Sequence, residues 1–182
     1  MSTPVSILFA LSSLPLQPHQ NLNIVLPEGL REKAKKKRKV FRKTLERANR
    51  KEVLKQLPDW HEAAFEEIDC LDCAACCKNF SPRFKPPDIR RISKSLRMKE
   101  GEFIDRFLVV DEDGDHVVNS KPCPFLASDN TCEIYDGRPS DCSRFPYTDE
   151  DVFLDKKSIS LKNSSFCPAA FAILERMEKF TL

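Results

Sequence analysis

Four cysteines within eight positions constrain this chain more than anything else in it. Residues 69–77 read Asp-Cys-Leu-Asp-Cys-Ala-Ala-Cys-Cys, a C-x2-C-x2-C-C run at Cys70, Cys73, Cys76 and Cys77. A C-x2-C pair places two sulfurs on one tight turn, where both reach one ion. Extending it to C-x2-C-x2-C brings a third sulfur within reach. Tetrahedral zinc sites use such pairs, and iron–sulfur clusters use such runs with a remote fourth Cys. Cys76 and Cys77 are adjacent, and neighbouring side chains usually diverge, so one is free to serve this site and the other a second.

Four further cysteines are dispersed. Cys123 lies in Lys121-Pro-Cys-Pro-Phe-Leu126, Cys132 in Cys-Glu-Ile-Tyr135, Cys142 after Arg138-Pro139, and Cys167 in Phe166-Cys-Pro168. Eight sulfurs are the ligand count of two four-sulfur sites, for Zn²⁺ or for Fe–S clusters. One site with spare thiols is also allowed. Four disulfides are the competing arrangement and suit a secreted small protein. Cys is 8 of 182 residues, well under the roughly 8–10% of disulfide scaffolds. Ordinary buried thiols explain a single Cys such as Cys167, but not four in eight positions.

Pro122, Pro124, Pro139, Pro146 and Pro168 flank these cysteines. Proline fixes φ and lowers loop entropy, which suits loops shaped for ligation. Arg138 and Arg144 bracket Cys142, where positive charge offsets thiolate charge and lowers thiol pKa. Of the three histidines, only His61, on the helix ahead of the run, is a candidate extra ligand. The sequence carries no G-x-S-x-G, P-loop or dinucleotide fingerprint. Asp111-Glu-Asp-Gly-Asp115 has D-x-D-x-D spacing, but Gly stands at loop position four and Pro122 at position twelve, which excludes an EF-hand. The flanking Leu108–Val110 and His116–Val118 predict a hairpin turning at Gly114.

Charge divides the chain. Residues 31–55 hold 13 Lys/Arg and 3 Glu, a local net of +10; residues 56–182 hold 17 Lys/Arg and 24 Asp/Glu, a net of −7. All eight cysteines lie in the acidic part. The division expected is residues 1–30 as a disordered or atypical N-terminus, 31–57 as a basic amphipathic helix, and 58–182 as a cysteine-cluster metal-binding domain. Val5–Leu16 is mildly apolar like a signal-peptide core, but it lacks a positive lead and contains Pro15. No run approaches the ~18 apolar residues of a membrane span.

Phe41, Leu45 and Ala48 give the basic segment a narrow apolar stripe. A helix lying against the acidic body is expected. Contact with nucleic acid through residues 31–57 is the lesser reading, since Phe41 alone does not make the interleaved aromatic stacking platform it would need. Asp59 is a candidate N-cap for a helix through Trp60, Ala64, Phe65 and Ile68. Further helices are expected over Asp88–Leu96, Glu100–Leu108 and Pro168–Phe180. The fold class expected is mainly α with a small β-hairpin, its irregular Cys-rich loops organised around metal.

The ordered set resembles a cysteine-cluster family of bacterial and archaeal proteins described as zinc- or iron-chelating. It comprises Cys70–Cys77, Cys123-Pro-Phe-Leu, Cys132-x-Ile-Tyr, Arg138-Pro-x2-Cys142, Phe145-Pro146 and a late Cys167. The resemblance covers roughly residues 60–180. It implies a metal-binding domain with Cys70, Cys73, Cys76, Cys77, Cys123, Cys132, Cys142 and Cys167 as ligands, and Zn²⁺ or iron, as ions or an Fe–S cluster, as cofactor. The family's usual Arg directly after the third dispersed Cys is Ser143 here, with Arg144 next. Some flagellin lysine methylases resemble the same cluster, which opens an Fe–S-dependent enzyme reading, although no methyl-donor motif is visible. The expectation is a cytoplasmic metal-binding protein without catalytic residues, with zinc slightly favoured for a structural role. An Fe–S enzyme, and an interaction module using the basic helix, are the alternatives.

Overall fold

The computed structural model describes residues 28–181, so nearly all of the expected N-terminal lead lies outside the described residues. The basic segment begins as helix α1 (Leu30–Arg47) and continues into α2 (Arg50–Glu67). The break falls at Ala48-Asn49, where Asn49 caps α2 by accepting from the Glu52 N–H at 3.4 Å. Pro58 stands inside α2, and Asp59 therefore caps nothing. An interior proline removes one helical hydrogen bond and crowds the preceding turn. Tertiary burial on both sides of it, by Val53, Leu57 and Ala64, holds the helix together.

The run of cysteines forms two short helices, α3 (Cys70–Cys73) and α4 (Ala75–Asn79). Next come α5 (Pro86–Ser95), α6 (Glu100–Phe107) and the hairpin of β1 (Leu108–Val110) and β2 (His116–Val118). The strands pair antiparallel with Leu108 opposite Val118 and Val110 opposite His116. Gly114 turns the hairpin at φ 81°, a conformation that favours glycine. A 3₁₀ turn (Tyr135–Gly137) precedes α7 (Ser140–Arg144), α8 (Val152–Asp155) and α9 (Lys157–Asn163), and α10 (Pro168–Thr181) closes the fold. The class is the expected one, mainly helical with one small hairpin. The three short helices from 140 to 163 replace what the sequence predicts as loop, because four to seven residues are too few to show a helical period.

Two apolar cores support the molecule. The first joins α1, α2, α8, α9 and α10 through Phe41, Val53, Leu57, Phe153, Ile173, Leu174 and Met177. Phe41 meets Phe171 edge-on at 5.3 Å between ring centroids. The second joins α5, α6 and the hairpin through Phe84, Ile92, Phe103, Leu108, Val118 and Phe125. The basic helix is thus bound to the acidic body as its charge predicts. Its Lys37 ammonium meets Glu175 at 2.7 Å and Glu178 at 3.1 Å on α10, and Arg50 meets Asp151 at 2.8 Å. These pairs are exposed or half-exposed and contribute little; burial of the Phe41 stripe is the larger stabilising effect.

Candidate metal centre

The chain enters the cysteine run through Asp69, whose carboxylate accepts from the Leu71 N–H at 2.7 Å and starts α3. Cys70 and Cys73 are three residues apart on that one turn and share a face. Ala74 then takes a left-handed conformation (φ 43°), stops α3 and starts α4 in a new direction. That conformation is costly for a residue with a Cβ. It lets Cys76 and Cys77 leave α4 on different headings while their sulfurs stay 3.8 Å apart.

The loop that carries Cys123 and Cys132 is tied to this run by two hydrogen bonds. The Cys123 N–H donates to the Cys77 carbonyl at 2.8 Å. Leu126 forms an antiparallel bridge with Cys132, closing the loop that carries both Cys123 and Cys132. The Asn130 amide in that loop donates to the Leu71 carbonyl at 2.6 Å. Cys142 lies on α7. Cys167 precedes α10 and packs against the first core, whereas Cys123 and Cys132 pack against the second.

Three rings that sequence reasoning did not single out join these segments. Phe80 lies 4.5 Å from Phe166 and 5.7 Å from Phe145, and Phe145 stacks on Phe166 at 5.9 Å. The available signal was position: Phe80 follows Cys77 by three, Phe145 follows Cys142 by three, and Phe166 immediately precedes Cys167. Each ring lies on one cysteine-bearing segment, so their contacts join the segments of Cys77, Cys142 and Cys167.

All eight cysteines are free thiols; Cys70 is exposed and the others are half-buried. Burial pushes Cys123 up to about 11 and Cys167 to about 12. Burial also raises Cys142, and the charges of Cys77, Cys123 and Cys132 add to it. Desolvation, then the charge of Cys73, raises Cys70. Cys76 and Cys77 behave as a pair. The hydrogen bond between them stabilises the Cys77 thiolate and holds the proton on Cys76, so Cys77 is lowered and Cys76 raised. Arg138, whose guanidinium lies 3.9 Å over the Tyr135 ring, lowers Cys77, Cys132 and Cys142 against these influences. Arg144 has a different role: it is held by Glu150 and lies over Tyr147. His61 donates to or accepts from Thr148 Oγ1 at 2.8 Å and stacks beside Phe65, which engages it away from the sulfurs.

The donor set suits zinc or iron: soft thiols, in a shell that includes an arginine. Among the described residues no three His, Cys, Asp or Glu side chains already stand close enough to enclose an ion. One dimension is already in place. A tetrahedral site with Zn–S near 2.3 Å has sulfur–sulfur edges of about 3.8 Å, the separation of Cys76 and Cys77.

The fold is a mainly helical one whose eight cysteines are all free thiols, three of them packed against one or other of two apolar cores. The family is equally definite. A family model, CxxCxxCC, described as a putative zinc- or iron-chelating domain, matches residues 69–168, more than half the chain, and the chain belongs to that family. Comparison with curated proteins and with solved structures gave no match. No described helix is long and apolar enough to cross a membrane.

Proposed function

We propose that this protein binds Zn²⁺ or iron, as ions or as an Fe–S cluster, through Cys70, Cys73, Cys76, Cys77, Cys123, Cys132, Cys142 and Cys167. We place it in the cytoplasm, where thiols stay reduced. The observation that carries the reading is a run of four free thiols, Cys70, Cys73, Cys76 and Cys77, to which the segment of a fifth, Cys123, is tied by its N–H donating to the Cys77 carbonyl. Metal bound there cross-links the segments, so binding free energy becomes folding free energy. A structural role favours zinc, which has no redox chemistry and closes four-sulfur sites.

A second reading has its own support. Cys70, Cys73 and Cys76 with a remote Cys167 reproduce the ligand order of an Fe–S cluster, which would give the protein redox or enzymatic chemistry. Anaerobic purification followed by elemental analysis and a visible spectrum separates the two. Colourless protein retaining zinc supports the structural site. Brown protein with iron and acid-labile sulfide supports the cluster. Protein that retains no metal and takes up none when reduced refutes both.

A further inference from the structure

We infer that α1 binds the phosphate backbone of a nucleic-acid duplex along the groove it forms with α9. This is a second activity, separate from metal binding and independent of it.

Nine Lys and Arg side chains of α1 are exposed, against two exposed acids, Glu32 and Glu46. Among the described residues, Lys37 is the only cation of α1 that forms an ion pair, and its partners lie on α10. The acidic body therefore neutralises one edge of the helix and leaves the rest uncompensated. Like charges one turn apart repel and weaken a helix. Phe41 and Leu45 already seat α1 in the first core, so packing does not require the remaining charge.

That charge is ordered. Arg31, Lys35, Arg38 and Arg42 follow i, i+4, i+7 and i+11, which sets them in one row along the helix. The first three line a groove of about 460 Å³, with Leu161 of α9 and Ser165 across from them. Glu32 is the one acid in the lining, so cations outnumber it there three to one. On the α9 side, Lys157 and Lys162 are also exposed.

Geometry selects the occupant. From Arg31 to Arg42 the row runs about 16 Å, and one strand of a duplex places a phosphate about every 3.4 Å of axis, so each of the four cations can meet its own phosphate. A single strand fits less well. No aromatic side chain lines the groove, and Phe41, the one ring on α1, is fully buried, so bases have nothing to stack on. An anionic membrane fits less well too. Amphipathic helices enter lipid by their apolar face, which α1 commits to the first core, leaving Val40 as its one large exposed apolar side chain. Contacts to phosphates alone carry no base sequence.

Fluorescence anisotropy of a labelled DNA duplex with the full chain tests this. Binding should weaken about a hundredfold between about 50 and about 200 mM salt, the loss expected of four phosphate contacts. A duplex of unrelated sequence should bind equally. Arg31→Gln/Lys35→Gln/Arg38→Gln should flatten the salt dependence to about that of one contact. Lys33→Gln/Lys36→Gln/Arg47→Gln removes the same charge from another side of the helix and should leave it nearly unchanged. A second readout needs no substitution: the duplex should shield Lys35 from acetylation ahead of Lys33 and Lys36. Equal effects of the two triple variants, or uniform shielding, would show undirected attraction and overturn the groove assignment. Tighter binding to phosphatidylserine vesicles than to the duplex at matched salt, or no binding to the duplex, overturns the proposal. Each of these results leaves metal binding intact.

Discussion

Asp88 on α5 accepts two hydrogen bonds from Ser140, one from its backbone N–H and one from its hydroxyl, each at 3.2 Å. The same carboxylate accepts from the Lys85 N–H at 3.2 Å and from Arg91 at 3.0 Å. One buried acid therefore caps two helices, its own and α7, and α7 carries Cys142. Arg91 extends the arrangement by donating to the Arg138 carbonyl at 2.9 Å. The segment from Arg138 to Cys142 is positioned from α5, fifty residues away in sequence.

Asp88→Ala leaves partly buried N–H groups at both helix starts without an acceptor. Loss of a charged acceptor at such a site costs about 1–3 kcal/mol. Urea denaturation of the metal-free protein should show a lower midpoint with an unchanged slope. Cys142 should also become faster to alkylate, while Cys167, packed against the first core, keeps its rate.

Phe41→Ala and Lys37→Ala separate the two forces that hold the basic helix. Phe41 is fully buried against Phe171, and its truncation should cost about 3–5 kcal/mol. Lys37 makes half-exposed ion pairs, and its loss should cost less than about 1 kcal/mol and be masked by salt. Equal effects in thermal melts at low salt would show that charge, rather than burial, seats α1.

The metal-free, reduced protein should be most stable near the ordinary thiol pKa of about 8.5. Burial raises Cys123 to about 11 and Cys167 to about 12, so their contributions are complete below the unfolded value and are lost as pH rises through 11–12. The Cys76 hydrogen bond lowers Cys77, so its contribution is present above the unfolded value and is lost as pH falls. Guanidinium midpoints at three pH values, one near the ordinary thiol pKa and one well to each side, should pass through a maximum. A monotonic series between neutral and strongly alkaline pH contradicts this assignment.

Ala74→Val should be more damaging than its small volume change implies. A β-branched residue at φ 43° is strained by about 1–3 kcal/mol. The strain is relieved by undoing the turn between α3 and α4. Retained metal per chain, measured beside far-UV circular dichroism, should fall while most of the helical signal remains.

What the sequence disclosed follows its strongest periodic signals. The short apolar segments Leu108–Val110 and His116–Val118 flanking Gly114 marked the hairpin, and Phe171, Leu174 and Met177 marked α10. Each of these elements is decided by its own residues. Pro58 and Asn49 were misleading for the opposite reason. Proline looks like a helix boundary locally, but packing by Leu57 and Ala64 overrides it, and the weak-looking Asn49 makes the break. All eight cysteines were legible as candidates from spacing, and the family is the one they resembled. How their segments meet was not legible, because it depends on long-range contacts such as Cys123 to Cys77 and those among Phe80, Phe145 and Phe166. Arg144 was a reasonable candidate beside Cys142, and only the side-chain geometry gives it to Glu150 and leaves Arg138 with the thiols.

α10 begins beside Cys167 and, toward its far end, carries the acids that receive Lys37. Its 14 residues make a rod of about 21 Å. A metal that fixes Cys167 would clamp one end of that rod, and the basic helix leans on the other. Loading the sulfurs should therefore slow amide exchange in α1, far from any ligand, and make the positively charged face of the molecule a remote gauge of whether the centre is filled.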